Sequence, residues 1–482
     1  MQKVKAKIDF TEGKIFFKLL RFILPIVATN LLQMFYNAAD MMVVSLSSEA
    51  NAVGAIGTTG SFIHLILNIF IGFSVGANIV VAREIGSKNK EKTQKAVHTS
   101  LFMAGLFGLL GMTIGLCVSR PVLHAMGGEG KLLTLAVKYT DIYFLGVPFL
   151  ALTNFLIAIF RAKGDAKTPL VVLTSTGVLN VGLNLFFVLV MDMSVEGVAL
   201  ATSIANAASF VVLLLKLRKD QDYTTFSFRR LKMDKAAFFD IFSNGAPAGI
   251  QGALFSLSNV LIQSSIVTVN NNVCPPTQYD VAPIVNGSAA AANIEGFVYT
   301  AMNAVYQGAI TATSQNMGAK KISRIKKIMY CCFVLVTAIG VLTSGVALLF
   351  RKPLLGLYGV KDGGAGSIAA IAMQAATLRL EYICIPYFLC GIMDICTGVL
   401  RGMGKSVTSM LISLIGACLL RIIWLWTVFP SSQTLQTIFI SYSVTWIITA
   451  LTAFIMIQVL LKRALSREKE EMQTAAYAVN RE

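Results

Sequence analysis

Charged side chains are scarce in this 482-residue sequence. Only 13% of its residues are Asp, Glu, Lys or Arg, which is about half the share that is usual in soluble domains. Hydrophobic residues make up 55%, and the mean hydropathy is +0.70. A soluble fold cannot hide so much apolar surface, because much of any folded surface faces water. The composition therefore excludes a large soluble enzyme or a disordered chain and favours an integral membrane protein.

The residues and motifs of common catalytic and metal sites are also missing. There are three histidines, no Cys-x-x-Cys and no His-Glu-x-x-His. Seven of the eight cysteines lie in apolar runs, and only Cys274 lies in a polar loop. The stretch Arg401–Ser406 resembles the end of a phosphate-binding loop, but Val399 stands where that motif needs glycine. We therefore expect no enzyme activity, no resident metal and no cofactor.

Twelve segments are apolar over about 20 residues or more, which is the length that a helix needs to cross a bilayer. In lipid every backbone polar group must be bonded internally, so these segments should be helices. Their approximate bounds are 15–47, 53–82, 96–118, 139–160, 168–191, 195–215, 237–269, 287–317, 328–350, 376–400, 406–429 and 435–461.

The formal net charge of +17 raises the question of nucleic-acid binding. The 41 basic residues are, however, divided unequally by the twelve spans: 33 fall on the side of the N-terminus, seven on the opposite side, and Arg421 within a span. Such asymmetry is typical of cytoplasmic loops. It predicts a multi-pass protein of the cell (inner or plasma) membrane with both termini in the cytoplasm, and it explains the basic excess without nucleic acid.

The sequence repeats itself. The segment that ends at Gly86 resembles the one that ends at Gly318, 232 residues later, and Arg161-Ala-Lys-Gly resembles Arg401-Gly-Met-Gly at an offset of 240. Pro25 and Pro247 pair at an offset of 222. The predicted fold is an all-α membrane protein with two six-helix bundles related by a pseudo-two-fold axis along the membrane normal. The predicted parts are an N-lobe (1–215), a cytoplasmic basic linker (216–235), a C-lobe (236–461) and a charged cytoplasmic tail (462–482).

Several motifs, in order along about residues 12–460, resemble multidrug and toxic compound extrusion (MATE) transporters. They are Leu24-Pro25, Gln33–Asp40, Arg161–Asp165, Gly197–Thr202, Gln315–Lys321 and Leu400–Gly404. The resemblance implies a secondary antiporter that exchanges small organic, often cationic compounds for H⁺ or Na⁺, with two lobes around a cavity. Membrane lipids would surround it, and we expect a functional monomer.

Asp40 is a carboxylate inside the first span, where a charge is costly. Gln33, Tyr36 and Asn37 precede it by seven, four and three residues, which places a polar stripe on one helical face. The stripe indicates a lined cavity, although a carboxylate that bonds a neighbouring helix is the simpler alternative. In the resembled family the matching Asp is the N-lobe cation or proton site.

Amides in other spans are candidates for the same site. Asn180 and Asn184 lie one turn apart on the fifth span, and Thr202 matches a hydroxyl ligand of the family. Asn154 is expected to join them. Family members commonly carry Asp where Asn184 stands, and an amide can ligate Na⁺ but cannot titrate. A structural role, in which each amide forms a hydrogen bond to a neighbouring helix, explains these residues equally well.

The second half departs further from the family. Ser256 and Cys390 stand where some members carry Glu and Asp, so Asp394, one turn later, is the predicted replacement. Glu295 is a second candidate for coupling or drug attraction, with helix pairing as the alternative. Arg421 is expected to pair with a carboxylate, with Asp394 as the suggested partner, or to reach the interface.

These residues define the predicted site. The coupling residues, also a possible Na⁺ site, are Asp40, Asn180, Asn184 and Thr202; the cavity residues are Gln33, Tyr36, Asn37, Asn154, Ser256, Glu295 and Asp394; the structural residues are Pro25, Pro247, Gly318 and Arg421. The expected function is multidrug efflux by alternating access. The alternative function is a flippase for lipid-linked precursors. That hypothesis predicts additional spans and a basic cavity.

Overall fold

The computed structural model describes residues 7–47, 49, 52–126, 129–220, 222–227, 229, 231–275, 281–364 and 367–479. All regular structure in these residues is helical. Part of the polar loop that contains Cys274, part of the linker 216–235 and the ends of both tails lie outside the described residues.

Six long helices occupy the first half of the chain. Their bounds are α1 (Ile15–Val44), α2 (Ala52–Gly86), α3 (Lys90–Ala125), α4 (Gly130–Ala162), α5 (Lys167–Leu185) and α6 (Val195–Lys219). A π-helical turn, Phe186–Val190, extends α5.

The second half repeats this order with more breaks. It contains α7 (Lys235–Val273), α8 (Pro283–Gly318), α9 (Ile322–Leu349), the short α10 (Arg351–Leu357), α11 (Ile368–Cys384), α12 (Tyr387–Gly402), α13 (Ser406–Ser413), α14 (Leu420–Thr427), α15 (Phe429–Ser432) and α16 (Leu435–Val479). A second π-helical turn, Leu414–Leu419, joins α13 to α14. Because both π-helical turns lie in corresponding spans, the fifth and the eleventh, they support the internal repeat.

Ten of these helical segments, among the described residues, are long and apolar enough to cross a membrane. The pair α11 and α12, bent by 46°, forms an eleventh span. The 36-residue α8 is not among those ten, but it is long enough to cross a membrane and supplies the twelfth position. The prediction of an all-α membrane protein with twelve spans in two bundles is therefore confirmed.

One predicted span is misplaced at its start. The tenth span was expected over 376–400, whereas helix begins at Ile368 and breaks after Cys384, next to Pro386. The charge count placed Arg379 on the outer side, although the predicted span 376–400 already contains it. Arg379 lies inside α11 and is 8% exposed.

Two compact units divide the chain. The first contains residues 1–13 and 20–253, and the second contains residues 14–19 and 254–482. The boundary in the second half thus falls inside α7 rather than at the polar linker. Pro25 lies inside α1 and Pro247 inside α7, each six residues from the point where its helix passes from one unit to the other.

The first part of α7 packs closely on α2 within the first unit. A Cβ added to Gly72 would lie 2.1 Å from the Gly249 backbone nitrogen, and one added to Gly76 would lie 2.4 Å from the Ile241 carbonyl oxygen. Arg83 donates a hydrogen bond to Asp240 at 2.7 Å beside this crossing. Only glycine allows the backbones of the two helices to approach this closely.

The turn between α4 and α5 anchors the start of the chain. Asp165 is 2% exposed and accepts hydrogen bonds from the Thr168 backbone N–H at 3.0 Å, the Thr168 hydroxyl at 2.7 Å and the Lys7 ammonium at 2.6 Å. Burial raises the pKa of the Asp165 carboxyl, but these donors outweigh burial and hold the pKa below its ordinary value. The carboxylate thereby caps α5 and fixes the segment that precedes α1.

Candidate coupling site in the membrane helices

Asp40 lies in the last two turns of α1 and is half-buried. The Asn184 side-chain amide, on α5, donates a hydrogen bond of 2.5 Å to Oδ1 of Asp40. Among the described residues, no Lys, Arg or His forms an ion pair with Asp40. The carboxylate therefore has a neutral hydrogen-bond donor but no fixed countercharge.

A chain of amides continues from Asp40 across two helices. Nδ2 of Asn184 also lies 3.4 Å from Oδ1 of Asn180, and Nδ2 of Asn180 donates to the Thr202 hydroxyl on α6 at 3.4 Å. Asn180 is 6% exposed and Asn184 is fully buried. The structure thus brings together all four residues that were predicted as the coupling set, from three separate helices. Asp40 is the only ionisable member of the four.

The Asn184 amide has an unused acceptor. Its Oδ1 is buried and has no hydrogen-bond partner among the described residues. A buried acceptor without a partner costs about 1–3 kcal/mol. Oδ1 of Asn184 is therefore able to accept from a proton donor or to ligate a small cation.

The polar stripe on α1 is partly directed away from the protein. Gln33 and Asn37 are exposed, whereas Tyr36 packs on α5 and donates to the Thr174 carbonyl oxygen at 3.2 Å. Gly177 provides the space for its ring, because a Cβ there would lie 1.9 Å from Cε2 of Tyr36. Tyr36 is therefore a packing residue at the edge of the site as well as a candidate contact.

Asn154 is not connected to the chain of amides. Its Nδ2 donates to the Leu150 carbonyl oxygen of its own helix at 3.0 Å. Instead, α4 contributes two phenols that the sequence reasoning missed: Tyr139 and Tyr143 lie within electrostatic range of Asp40. Both rings stand one turn apart on α4, and a tyrosine pair at this spacing in a membrane helix is the signal that could have found them.

Glu295 has a fixed basic partner. The Arg379 guanidinium, on α11, donates through Nε to Oε1 at 2.7 Å and through Nη2 to Oε2 at 3.0 Å. A third bond runs from Nη1 of Arg379 to the Ser288 hydroxyl at 2.9 Å. Glu295 is 6% exposed and Arg379 is 8% exposed, so the pair joins α8 to α11. This geometry favours helix pairing, the alternative that the sequence left open.

Asp394 has a different environment in α12. It accepts a hydrogen bond from Tyr299 on α8 and lies within electrostatic range of Arg401. Arg401 donates to the Tyr306 hydroxyl at 2.5 Å, which sets both tyrosines of α8 beside α12. Cys390, one turn earlier, is buried. Ser256 lies on α7, partly buried, and has a polar contact of its own.

The suggested pair between Arg421 and Asp394 does not form. Arg421 is 3% exposed and donates through Nη2 to the Thr445 hydroxyl at 3.1 Å, while its guanidinium carbon lies 3.9 Å from the centre of the Tyr442 ring. In the described part of the chain it makes no ion pair with any carboxylate. The expectation was wrong because Asp394 is engaged by residues of α8 and by the Arg401 charge on its own helix.

Membrane-length helices in two repeated bundles, with polar and ionisable side chains gathered inside them, define a polytopic membrane protein with the architecture of a transporter. No group of three or more His, Cys, Asp or Glu side chains is placed to hold a metal ion in the residues that the structure describes. The MatE family profile matches residues 25–186 and 284–427. Because this match covers more than half of the sequence, the chain belongs to the MatE family of membrane transporters.

Similar proteins agree with this assignment. The probable multidrug resistance protein YoeA of Bacillus subtilis is 28% identical over 346 residues, which is 70% of this chain and 72% of YoeA. The multidrug export protein MepA of Staphylococcus aureus is 21% identical over 418 residues, covering 86% of this chain and 88% of MepA. Both relatives thus align over most of their length.

Solved structures share the fold. An outward-facing multidrug resistance MATE family transporter of the MOP superfamily superposes with a TM-score of 0.86 at 18% identity, covering 96% of this chain and all of that chain. A MOP superfamily transporter from Pyrococcus furiosus, described as having a binding pocket of reverse polarity, gives 0.86 at 17% identity and covers 96% of this chain and 99% of that chain. At these identities the likeness establishes the fold alone.

Proposed function

We propose that this transporter is a multidrug antiporter, which exports small organic, mostly cationic and amphipathic compounds in exchange for H⁺ or Na⁺ by alternating access. The names of YoeA and MepA support export of drugs. The coupling role of Asp40 rests on one observation of this chain. Asp40 is a half-buried carboxylate in a membrane helix with an amide as its hydrogen-bond partner, and it has no ion pair among the described residues.

A carboxylate without a fixed countercharge in this setting gains by binding a positive ion. An intramembrane charge costs several kcal/mol on insertion scales, and a proton or Na⁺ removes that cost. For Glu295, the ion pair with Arg379 already offsets the cost of the buried charge. Asp40 therefore binds and releases a cation, whereas Glu295 keeps a permanent partner.

The Asn184 amide offers a physical switch between the two states of Asp40. When Asp40 is charged, Nδ2 of Asn184 donates to it, as in this structure. When Asp40 is protonated, rotation of the amide by about 180° about χ2 presents Oδ1, which then accepts the new O–H. Na⁺ also binds the oxygen side of an amide, so either ion uses the acceptor that is unpartnered here.

Coupling requires that the cation and the drug favour different states of the carrier. A charged Asp40 attracts a cationic drug, and a neutralised Asp40 releases it. The exposed amides of Gln33 and Asn37, with the Tyr36 ring between them along α1, provide polar and aromatic contacts that suit many shapes. Asp394, hydrogen-bonded by Tyr299, is the corresponding candidate in the second unit.

We propose that the protein resides in the cell membrane as a functional monomer with both termini in the cytoplasm. The excess of basic residues on the side of the N-terminus supports this orientation. It places the start of the chain, Asp165 and the polar linker in the cytoplasm.

Efflux by purified full-length protein tests the proposed function. Proteoliposomes would receive ethidium and either a pH gradient or a Na⁺ gradient, each imposed alone at zero membrane potential. We expect one of the two gradients to drive ethidium movement against its concentration, and empty liposomes to show none. Equal, purely downhill movement under both gradients would overturn antiport.

A further inference from the structure

Two helices of the second unit, α9 and α16, contact each other through aromatic rings. The centre of the Phe333 ring on α9 lies 6.5 Å from that of Phe454 on α16. As the ninth and twelfth spans, the two helices run in opposite directions. Lys326 precedes Phe333 by seven residues, with Lys327 next to it, and Lys462 follows Phe454 by eight. These three lysines, the lysine patch, therefore lie at one level, about 10–12 Å from the ring contact towards the cytoplasm in the proposed orientation.

The lysine patch borders an exposed groove between the two helices. At about 100° per residue, one set of side chains is turned by roughly 60–120° from the ring contact in the same sense on both helices. The set consists of Lys327, Tyr330 and Val334 on α9 and of Ile455 and Lys462 on α16. Because the helices are antiparallel, these side chains lie on the same side of the pair. Tyr330 is 45% exposed, Val334 59% and Ile455 61%.

No acid offsets the charge of the lysine patch. Its three lysines are exposed and form no ion pair within the described part of the chain. The sequence has no Asp or Glu at 296–361 or at 395–467, and Glu468 lies nearly two turns beyond the patch on α16. In the first unit, by contrast, Lys95 pairs with Glu91 at 2.7 Å. The second unit thus presents an uncompensated positive surface at the end of two membrane helices.

We propose that the lysine patch binds the headgroup of an anionic phospholipid, whose acyl chains lie along the groove. Basic groups between membrane helices at the cytoplasmic side are suited to anionic headgroups. Val334 and Ile455 lie at the depth of the ring contact, where acyl chains would cover them, whereas a soluble anion would leave them exposed. Tyr330 lies between the two levels, as aromatic residues at an interface do.

This binding is independent of the proposed antiport. Only the choice of the cytoplasmic leaflet rests on the proposed orientation. The simpler alternative is a general attraction between all cytoplasmic bases and an anionic surface, which depends on total charge and not on position. A variant elsewhere on the cytoplasmic side that loses the same charge separates the two explanations.

Native mass spectrometry of the purified full chain counts bound lipids directly. The protein in detergent would receive dioleoyl-phosphatidylglycerol and dioleoyl-phosphatidylethanolamine in equal amounts at rising concentration. We expect one phosphatidylglycerol to bind saturably at concentrations where phosphatidylethanolamine does not bind.

Lys326→Gln together with Lys462→Gln should weaken phosphatidylglycerol binding about thirtyfold, since each base near an anionic headgroup contributes about fivefold. Lys90→Gln together with Lys92→Gln is the matched control. It removes the same charge from α3, the corresponding span of the first unit, where Glu91 lies between the two lysines. The control should bind as the wild type does, and both variants should unfold at the wild-type temperature without lipid, because all four side chains are exposed.

If the double variant of the lysine patch does not fold, Lys326→Gln alone should still weaken binding about fivefold. Equal binding of the two lipids by the wild type would overturn the proposal. So would equal weakening in the two double variants, because attraction would then depend on total charge. Displacement of phosphatidylglycerol by glycerol 1-phosphate at a similar concentration would assign the patch to a soluble anion and reject the lipid.

Discussion

The guanidinium of Arg379 on α11 donates hydrogen bonds to both carboxylate oxygens of Glu295 on α8, at 2.7 and 3.0 Å. The carboxylate of Asp40 on α1 instead accepts its hydrogen bond from the neutral side-chain amide of Asn184. Two carboxylates that look alike in the sequence thus have different environments. Glu295 is neutralised by a base, and Asp40 has no ion pair among the described residues.

Glu295→Gln should destabilise the protein by about 3–5 kcal/mol, because it leaves Arg379 as a buried charge without its partner. Thermal unfolding of the purified protein measures this. Glu381→Gln is the control, since Glu381 lies on α11 but is 42% exposed at its side chain and 3.9 Å from Arg351. Adding Arg379→Met to Glu295→Gln should restore most of the stability. A Glu295→Gln protein of normal stability that has lost transport would make Glu295 a coupling residue instead.

Asn184→Asp should make transport strongly dependent on Na⁺. The new carboxylate would face Asp40 across the present 2.5 Å contact, and two such groups cannot both ionise without a cation between them. The Na⁺ concentration for half-maximal efflux, measured at fixed pH, should fall at least about tenfold. Asn154→Asp introduces the same charge on α4 outside the chain of amides and should not produce this shift. Equal shifts in both variants would argue against the site.

Gly177→Ala should displace the Tyr36 ring, since the added Cβ would lie 1.9 Å from Cε2. We expect a loss of about 1–3 kcal/mol from overpacking, together with a lower rate of dye efflux. Gly182→Ala is the control on the same helix, where no atom lies within 4 Å of the added Cβ. Gly182→Ala should be neutral or slightly stabilising, as unfolding temperatures would show.

Asp165→Ala should weaken the anchoring of the chain before α1 by about 1–2 kcal/mol, because it removes the cap of α5 and two side-chain hydrogen bonds. Limited proteolysis should then cut the segment before α1 faster. Lys7→Met should speed cutting of this segment to a similar extent, because the Lys7 ammonium is the side-chain group that joins the segment to Asp165. It should change the unfolding temperature much less than Asp165→Ala, because it leaves the cap of α5 in place and the Lys7 side chain is 61% exposed. Unchanged cutting of Lys7→Met would show that this ion pair does not hold the segment.

The anchor should not respond to pH in the physiological range. The pKa of Asp165 is depressed in the folded protein, so its stabilisation is complete above the ordinary carboxyl pKa and is lost only as pH falls through the lower, folded value. Proteolysis rates should therefore be constant between about pH 6 and pH 8. A pH dependence of transport in this range would have to come from other groups.

The sequence predicted that Asp40 and three polar residues of other spans lie together, because polar residues inside apolar spans are conspicuous; their role in coupling stays a prediction. Asp40, Asn180, Asn184 and Thr202 stood out on three separate spans, and the structure places them in one hydrogen-bonded chain. Each had to face protein or water rather than lipid. The resemblance to MATE transporters then grouped them, because Asp40, Asn184 and Thr202 match positions of the cation site in that family.

Pairing between helices was not readable in the same way. Nothing in the sequence paired Arg379 with Glu295, which lies 84 residues earlier. Asn154 looked like the other amides, yet it bonds its own helix. Which face of each helix meets which neighbour depends on packing geometry that hydropathy does not record, so partners of buried charges required the structure.

Proteoliposomes with purified Asp40→Asn provide the most direct test of cation coupling. Ethidium movement would be driven by whichever gradient drives the wild type, with Asp141→Asn as the control, since Asp141 is a carboxylate of the same unit that is bonded to Ser119 at 2.7 Å. We predict that Asp40→Asn folds and inserts normally but loses gradient-driven ethidium movement, while Asp141→Asn retains it. Wild-type rates of gradient-driven transport by Asp40→Asn would contradict the account.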